Sequence, residues 1–195
     1  MIEKVGIGFV DTTGATGKLP LGWRVIEWFQ NSPIVHCFMV YKIDGVPWVY
    51  ETTETTFQRR PLTERVAGTP VHLFDLEITT TQADMAHTAA DALMGSIYDY
   101  SGIAGLGLML LTERVMNWLS WPVRKLFKLD DARLVWINNP WHMQAAYFCS
   151  ESVIKQLSSA RYPLPEWWTN GEFITPRQLF VYFNTHLEEV KHETF

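Results

Sequence analysis

Residues 34–52 predict a β-hairpin, and this segment constrains the fold more than any other part of the chain. Ile34 to Ile43 is rich in β-branched and aromatic side chains, and Val46 to Thr52 continues that composition. Between them stands Asp44-Gly45, a pair typical of a two-residue turn. Strands joined by so short a turn pair antiparallel, so we expect an antiparallel sheet in the core.

The turn also determines which side chains share a face of the hairpin. With a two-residue turn, Phe38 is opposite Glu51 and His36 is opposite Thr53. Glu51 is then diagonal to His36 on one face, with Cβ atoms roughly 7 Å apart. A carboxylate in that place can accept the imidazole N–H, set the tautomer and leave the other ring nitrogen facing outward. His36 and Glu51 are therefore candidates for a general base and its orienting group, unless a one-residue slip moves Glu51 to the other face.

Cys149 is the candidate nucleophile. It stands in Tyr147-Phe-Cys-Ser-Glu151, at the expected start of a helix that carries Val153, Ile154 and Leu157 on one side. The positive end of a helix dipole lowers the pKa of a thiol, and backbone N–H groups there can bind an oxyanion. Taken singly, Cys149 also fits a buried small residue and His36 a structural histidine; the combination points to catalysis.

The remaining cysteine, Cys37, is predicted to lie in the core, because alternation places it on the opposite strand face from His36. Two thiols do not make a disulfide framework, and they fit a reducing compartment or one free reactive thiol. The spacing of the histidines and cysteines does not predict a zinc site, and no metal or organic cofactor is expected. The residues considered for zinc are His36, Cys37, His72, His87 and His142.

Other elements follow from periodicity and end signals. For the helix from Thr81 to Met94, Thr81 is the predicted N-cap and Gly95 the stop. The further predicted elements are a strand at Val5 to Val10, a helix at Gly22 to Gln30, a strand at Val71 to Ile78 and a helical or loop segment opened by Thr175-Pro176.

The aromatic-rich stretch at about residues 102–140 is predicted to be a helical insertion into a single domain spanning 1–195. It contains a basic patch at Arg124, Lys125 and Lys128. A solvated helix face is the favoured interpretation of this patch, with membrane-surface contact through 102–128 as the alternative.

Charge and hydropathy exclude several classes of protein. The net charge of -5 argues against a nucleic-acid partner. The N-terminus lacks the basic start and apolar run of a secretory signal, and the longest apolar-leaning run, Ile103 to Leu111, is far short of the roughly 20 residues that span a bilayer. A cytoplasmic protein is expected.

Five short motifs, in this order, resemble the circularly permuted branch of the NlpC-type papain-like superfamily of cysteine hydrolases. That branch includes the lecithin:retinol acyltransferase-like enzymes, and its histidine strand precedes its cysteine helix. The motifs are Ser32-Pro-Ile-Val-His36, Val49-Tyr-Glu51, Gly95-Ser-Ile-Tyr98-Asp99, Tyr147-Phe-Cys149-Ser-Glu151 and Ile174-Thr-Pro176. The stretch 102–140 is longer than the branch leads us to expect.

The resemblance implies an α+β, permuted papain-like fold whose antiparallel, partly barrel-like sheet packs against the cysteine helix. It implies Cys149 as nucleophile, His36 as base and Glu51 as orienter, with Tyr98 and Tyr147 near the substrate; for Tyr98, packing beneath the site is favoured over chemistry. The expected function is cleavage of an amide bond (peptide, isopeptide or peptidoglycan) through a thioacyl intermediate. Two alternatives stay open: a lipid-directed thiol acyltransferase or lipase-like enzyme that takes an acyl substrate, and a non-catalytic binding module.

Overall fold

The computed structural model describes residues 1–13, 15, 21–53, 55–98, 146–168, 174–191 and 195. The predicted insertion at 102–140, with its basic patch and proposed membrane contact at 102–128, lies outside these residues. The helices are α1 (Leu21–Gln30), α2 (Leu62–Val66), α3 (Thr80–Leu93), α4 (Cys149–Ser159) and α5 (Pro176–His186), with a 3₁₀ turn at Glu166–Trp168. The strands are β1 (Ile2–Asp11), β2 (Ile34–Ile43), β3 (Val46–Thr52), β4 (Phe57–Pro61), β5 (Val71–Asp75), β6 (Ile97–Tyr98), β7 (Ala146–Tyr147) and β8 (Glu189–Val190).

Strands of the described residues form an antiparallel six-stranded sheet in the order β4-β3-β2-β1-β5-β8. The fold is therefore mixed α and β with an antiparallel sheet, as predicted. The partly barrel-like closure is wrong, because β4 and β8 lie at opposite ends of the sheet and are not paired with each other in the described part of the chain. The sheet is open.

Helices cover both faces of this sheet. On one face α3, α4 and α5 bury an apolar cluster with alternate residues of β1 and β2, including Ile7, Phe9, Met39 and Tyr41. On the other face, α1 and α2 bury Ile26 and Leu62 against the intervening residues of the same strands. Strands that are buried on both faces read as nearly continuous apolar runs, which accounts for the composition of β2.

The hairpin has the predicted bounds and register. Asp44 and Gly45 both adopt positive φ, 48° and 80°, as a type I′ turn requires. The β2–β3 ladder runs from Ile43–Val46 at the turn to Met39–Tyr50. Although β2 begins at Ile34 and β3 continues to Thr52, the two strands pair no further than Met39–Tyr50. The predicted Phe38–Glu51 pair is therefore not part of the ladder.

The cap predicted for α3 is wrong by two residues. Thr79, not Thr81, is the N-cap: its side chain accepts from the Gln82 backbone N–H while the Gln82 side chain binds back to the Thr79 backbone, which makes a capping box. At the other end Gly95 has φ 81°, the left-handed conformation expected of a helix stop. No helix among the described residues is long and apolar enough to cross a bilayer.

Candidate active site

Cys149 is the first residue of α4, and its side chain is buried with 1% of the residue exposed. Phe148 before it is extended and provides no side-chain cap, so the first N–H groups of the helix are not taken up by a capping side chain. Ser150 anchors the helix start, because its buried hydroxyl donates to the carbonyl of Ile174, just before α5. The backbone therefore places the sulfur at the positive end of an eleven-residue helix.

His36 and Glu51 meet where the β2–β3 ladder has ended. Nε2 of His36 lies 2.7 Å from Oε2 of Glu51, and both side chains are buried. Because a buried, ionised carboxylate has no proton to donate, Nε2–H is the donor in this bond. Nδ1 is then the ring nitrogen left for another partner. The predicted contact between these two residues is confirmed.

Two arginines complete the surroundings of the Glu51 carboxylate. Nε of Arg60 donates to Oε1 at 2.6 Å, and Nη2 of Arg60 also contacts that oxygen. Nε of Arg65 donates to Oε2 at 3.0 Å. Burial would raise the pKa of Glu51, but the bond and charge of His36, with Arg65 and Arg60, lower it to about 2. Glu51 is therefore a carboxylate throughout the neutral range.

Arg65 is itself buried, with 4% of the residue exposed. Its guanidinium carbon lies 5.4 Å from the Trp23 ring centroid and 5.3 Å from that of Phe38. Trp23 also stacks on the His36 ring, with centroids 6.0 Å apart. The aromatic rings thus hold Arg65 and His36 in place beside Oε2 of Glu51, the oxygen to which both bond.

His36 and Cys149 shift each other's pKa in the directions of an ion pair. Burial would lower the pKa of His36, but the charge and hydrogen bond of Cys149, followed by those of Glu51, raise it above the ordinary 6.5. The pKa of Cys149 is held well below the ordinary 9.0 by a hydrogen bond from the Cys37 thiol, against burial, together with the charge and hydrogen bond of His36. The favoured state is a thiolate beside an imidazolium.

Cys37 belongs to this site, which the sequence did not predict. Its side chain is fully buried, in the cluster that contains Cys149, as expected of a core residue. However, its thiol and its backbone also hydrogen-bond to the Cys149 sulfur. Alternation along the strand predicts that Cys37 and His36 lie on opposite faces, yet the Cys149 sulfur contacts both.

Tyr98 and Tyr147 are brought together by the backbone. Strands β6 and β7 pair in parallel, with Tyr98 beside Tyr147. Tyr147 comes two residues before Cys149 in the chain. The backbone N–H of Tyr98 also bonds to the carbonyl of Thr55, in the connection that follows β3. The Tyr98 segment therefore lies against the chain that leads into α4, while the side chain of Tyr147 is outside the described residues. A role in substrate binding stays a prediction for both.

Sequence reasoning missed Arg60 and Arg65 because it missed β4 and α2, the short elements that carry them. Register explains the position of Arg60: it pairs with Val49, which places it diagonal to Glu51 on one face of the sheet. A strand assigned to residues 57–61 would have been the signal.

Within the described part of the chain, no group of three or more His, Cys, Asp or Glu side chains is arranged to hold a metal ion.

No protein-family model and no curated protein matches this chain. Among solved structures, it is similar to the crystal structure of metalloprotein yiiX from Escherichia coli O157:H7, with a TM-score of 0.52 and 17% sequence identity. The similarity covers 81% of this chain and 66% of the other, so this chain spans just under two thirds of the neighbour's length. At that identity the likeness concerns the fold alone.

Proposed function

We propose that this chain is a cysteine hydrolase of the permuted papain-like type, with Cys149 as nucleophile, His36 as base and Glu51 as the group that orients His36. One observation carries the proposal: an ionised, buried carboxylate bonded to an imidazole whose other partner is a sulfur at the start of a helix. An activated thiol nucleophile needs these three parts in this order.

The order of elements supports the family proposal. The strand with His36 comes before the helix that starts with Cys149, as in the permuted branch. Two of the other matching motifs also lie at the start of α4: the Tyr98 segment through the β6–β7 pair, and Ile174 through the Ser150 hydroxyl.

In the acylation step, the Cys149 thiolate attacks the carbonyl carbon of an amide and forms a carbon–sulfur bond. The negative charge moves to the carbonyl oxygen, where the first backbone N–H groups of α4 can stabilise it. His36, as imidazolium, then donates a proton to the leaving nitrogen as the carbon–nitrogen bond breaks.

In the deacylation step, neutral His36 takes a proton from water, and the hydroxide attacks the thioester carbon. Collapse of this intermediate releases the carboxylic acid and restores the thiolate–imidazolium pair. Glu51 stays ionised in both steps, since its pKa is about 2, and its role is to hold the ring and stabilise the imidazolium.

The neighbour's description as a metalloprotein does not transfer to these residues. The donors at this site are one imidazole and two thiols that bond to each other, while the carboxylate is already held by two guanidinium groups and His36. Among the described residues, no group of three or more His, Cys, Asp or Glu side chains has the arrangement to hold a metal ion, and no step is derived through one.

The test is to trap the thioacyl intermediate. The protein is mixed with activated esters and peptide amides, including muropeptides, and with phospholipid vesicles, and the adduct is located by mass spectrometry after acid quenching. We expect an acyl adduct on Cys149 that is absent from Cys149→Ala and much reduced in His36→Asn. His186→Asn, an exposed histidine on α5, is the matched control and should behave as wild type.

Cys149 and His36 are 1% and 5% exposed, so substrate entry requires side chains around the sulfur to move.

Amide turnover without lipid turnover would favour the peptidase proposal, and the reverse would favour the lipid-directed one. If Cys149 reacts with iodoacetamide no faster than glutathione at neutral pH, and no adduct forms with any substrate, the catalytic proposal is wrong and a binding module is left.

A further inference from the structure

Cys37 and Cys149 are two free thiols buried in the same apolar cluster. One comes from β2 and the other from the start of α4, the helix that packs against β2 and β3. The Cys37 side chain donates a hydrogen bond to the Cys149 sulfur, and the Cys37 backbone bonds to it as well. The proposed mechanism uses Cys149 and His36, and it gives Cys37 no covalent step.

The early end of the β2–β3 ladder explains this contact. Cys37 lies beyond Met39, where the pairing of β2 with β3 ends, so its backbone is accessible to a group placed beside β2. The Cys149 sulfur takes that place, next to the Cys37 backbone and thiol and to the His36 ring. Adjacent residues on a strand point to opposite faces, so a sulfur that contacts both lies beside the strand rather than above one face.

We propose that Cys37 and Cys149 form a redox pair, in which a hydroperoxide converts the two thiols into a reversible disulfide that switches the site off. The proposal rests on the proposed function in one respect: it takes Cys149 as the reactive thiolate. It adds a modification site and assigns Cys37 as the resolving cysteine.

The chemistry balances in two steps. The Cys149 thiolate attacks one oxygen of the peroxide, the O–O bond breaks, and Cys149 becomes a sulfenic acid while the released alkoxide or hydroxide takes the proton of His36. The Cys37 sulfur then attacks the Cys149 sulfur, forms the S–S bond and releases water, using its own proton. Sulfur is oxidised and the peroxide is reduced to an alcohol or water. A dithiol reductant reverses the reaction.

The contacts of Cys37 suit it to the second step. Burial, and then the hydrogen bond to Cys149 and the charges of Cys149 and Glu51, raise the pKa of Cys37 well above the ordinary 9.0, so it stays a thiol while Cys149 is a thiolate. Oxidation removes the negative charge from Cys149. The negative charge of Cys149 then no longer raises the pKa of Cys37. Cys37 is therefore easier to deprotonate at the stage when the oxidised Cys149 sulfur can be attacked.

The disulfide would have structural consequences at the start of α4. Bonded sulfurs are about 2.05 Å apart, closer than hydrogen-bonded ones, so Cys149 has to move towards β2. That movement consumes the nucleophile and ends its pairing with His36. It also protects Cys149 from irreversible oxidation to sulfinic acid.

The test reads mass rather than activity. The full chain is equilibrated in glutathione buffers of increasing oxidised fraction, quenched with acid, alkylated with N-ethylmaleimide and weighed intact. We expect a species that has lost two hydrogens and takes up no N-ethylmaleimide, and that a non-reduced peptide map identifies as a link between residues 37 and 149. Cys37→Ala should instead carry glutathione on Cys149.

A second arm uses hydrogen peroxide followed by dithiothreitol. Wild type should regain iodoacetamide labelling of Cys149, whereas Cys37→Ala should accumulate sulfinic acid and lose labelling permanently. Cys37→Ser, closer in shape and still a hydrogen-bond donor, should lose labelling in the same way, and it replaces Cys37→Ala if that variant does not fold. Wild type that becomes glutathionylated or over-oxidised to the same extent as these variants would overturn the proposal.

The outcomes separate this inference from the proposed function. If the link between 37 and 149 forms but no substrate leaves an acyl adduct, the hydrolase proposal is wrong and the redox pair stands. If an acyl adduct forms on Cys149 without any link to Cys37, the redox pair is wrong and the hydrolase proposal stands.

Discussion

Nε2 of His36 lies 2.7 Å from Oε2 of Glu51, although the two residues are on neighbouring strands whose ladder has already ended. The same oxygen accepts from Nε of Arg65, and the other carboxylate oxygen accepts from Arg60. Glu51 therefore combines two functions: it sets the tautomer of His36, and it neutralises charge that is brought into the protein interior.

The first prediction concerns the reactivity of Cys149 as a function of pH. Because its pKa is held well below 9.0, by the Cys37 hydrogen bond and then by His36, alkylation should persist where ordinary thiols are protonated. At about pH 6 we expect iodoacetamide to modify Cys149 at least roughly tenfold faster than it modifies glutathione. If the proposed mechanism holds, turnover should fall as the pH rises through the raised pKa of His36, since that mechanism needs the imidazolium to protonate the leaving group.

The second prediction concerns Glu51→Gln. The change keeps the shape of the side chain but leaves two guanidinium groups without their counter-charge, so the free energy of unfolding should fall by roughly 3–5 kcal/mol. Urea unfolding at neutral pH measures this. The matched control is Glu64→Gln, on the exposed side of α2, which should change stability by no more than about 0.5 kcal/mol.

Acid titration gives an independent measure of Glu51. Its pKa is depressed from 4.5 to about 2, so the stability it contributes is fully present above pH 4.5 and is lost as the pH falls towards 2. By linkage the contribution is about 3 kcal/mol. Glu51→Gln should lack this part of the pH dependence; an acid profile identical to wild type would mean that the carboxylate is not paired in solution.

The third prediction concerns Arg65→Lys. A lysine ammonium cannot reproduce the Nε bond to Glu51 or the flat stacking against Trp23 and Phe38, so we expect a loss of about 1–3 kcal/mol. The pKa of Glu51 should also rise, which moves the acid loss of stability to higher pH. Arg59→Lys, an exposed position on the same strand as Arg60, is the control. A stability loss without any shift of the acid profile would argue against the positioning of Glu51 by Arg65.

The fourth prediction concerns Gly8, which is opposite Phe38 across the β1–β2 ladder. A Cβ at residue 8 would overlap Cε2 of Phe38, so Gly8→Ala must displace a ring that contacts both Arg65 and His36. We expect a loss of about 1–3 kcal/mol in stability together with slower alkylation of Cys149.

Phe38→Leu tests the cause of that effect. Its smaller side chain leaves room for a methyl group at residue 8, so the double variant should be less destabilised than the sum of the single variants. Strict additivity would show that the alanine acts by another route.

The hairpin could be predicted because its information is local. A two-residue turn leaves a single register, and that register puts Glu51 within reach of His36 whether or not the last pair of the ladder forms. The helix start at Cys149 was predictable for the same reason, since the apolar residues that follow it have a helical period.

The missed features depend on tertiary structure. Cys37 was assigned to the core alone because alternation assumes a continuous ladder, whereas the ladder ends two residues away, at Met39. Arg60 and Arg65 belong to elements of five residues each, too short and too polar for a periodic signal. The openness of the sheet depends on where β4 and β8 lie, which no local pattern encodes.

The early end of the β2–β3 ladder has one more consequence. Where peptide groups would ordinarily join two strands, the join between residues 36 and 51 is made by an imidazole and a carboxylate. The contact between β2 and β3 at this point therefore depends on pH. Protonation of Glu51 weakens it without breaking a backbone hydrogen bond.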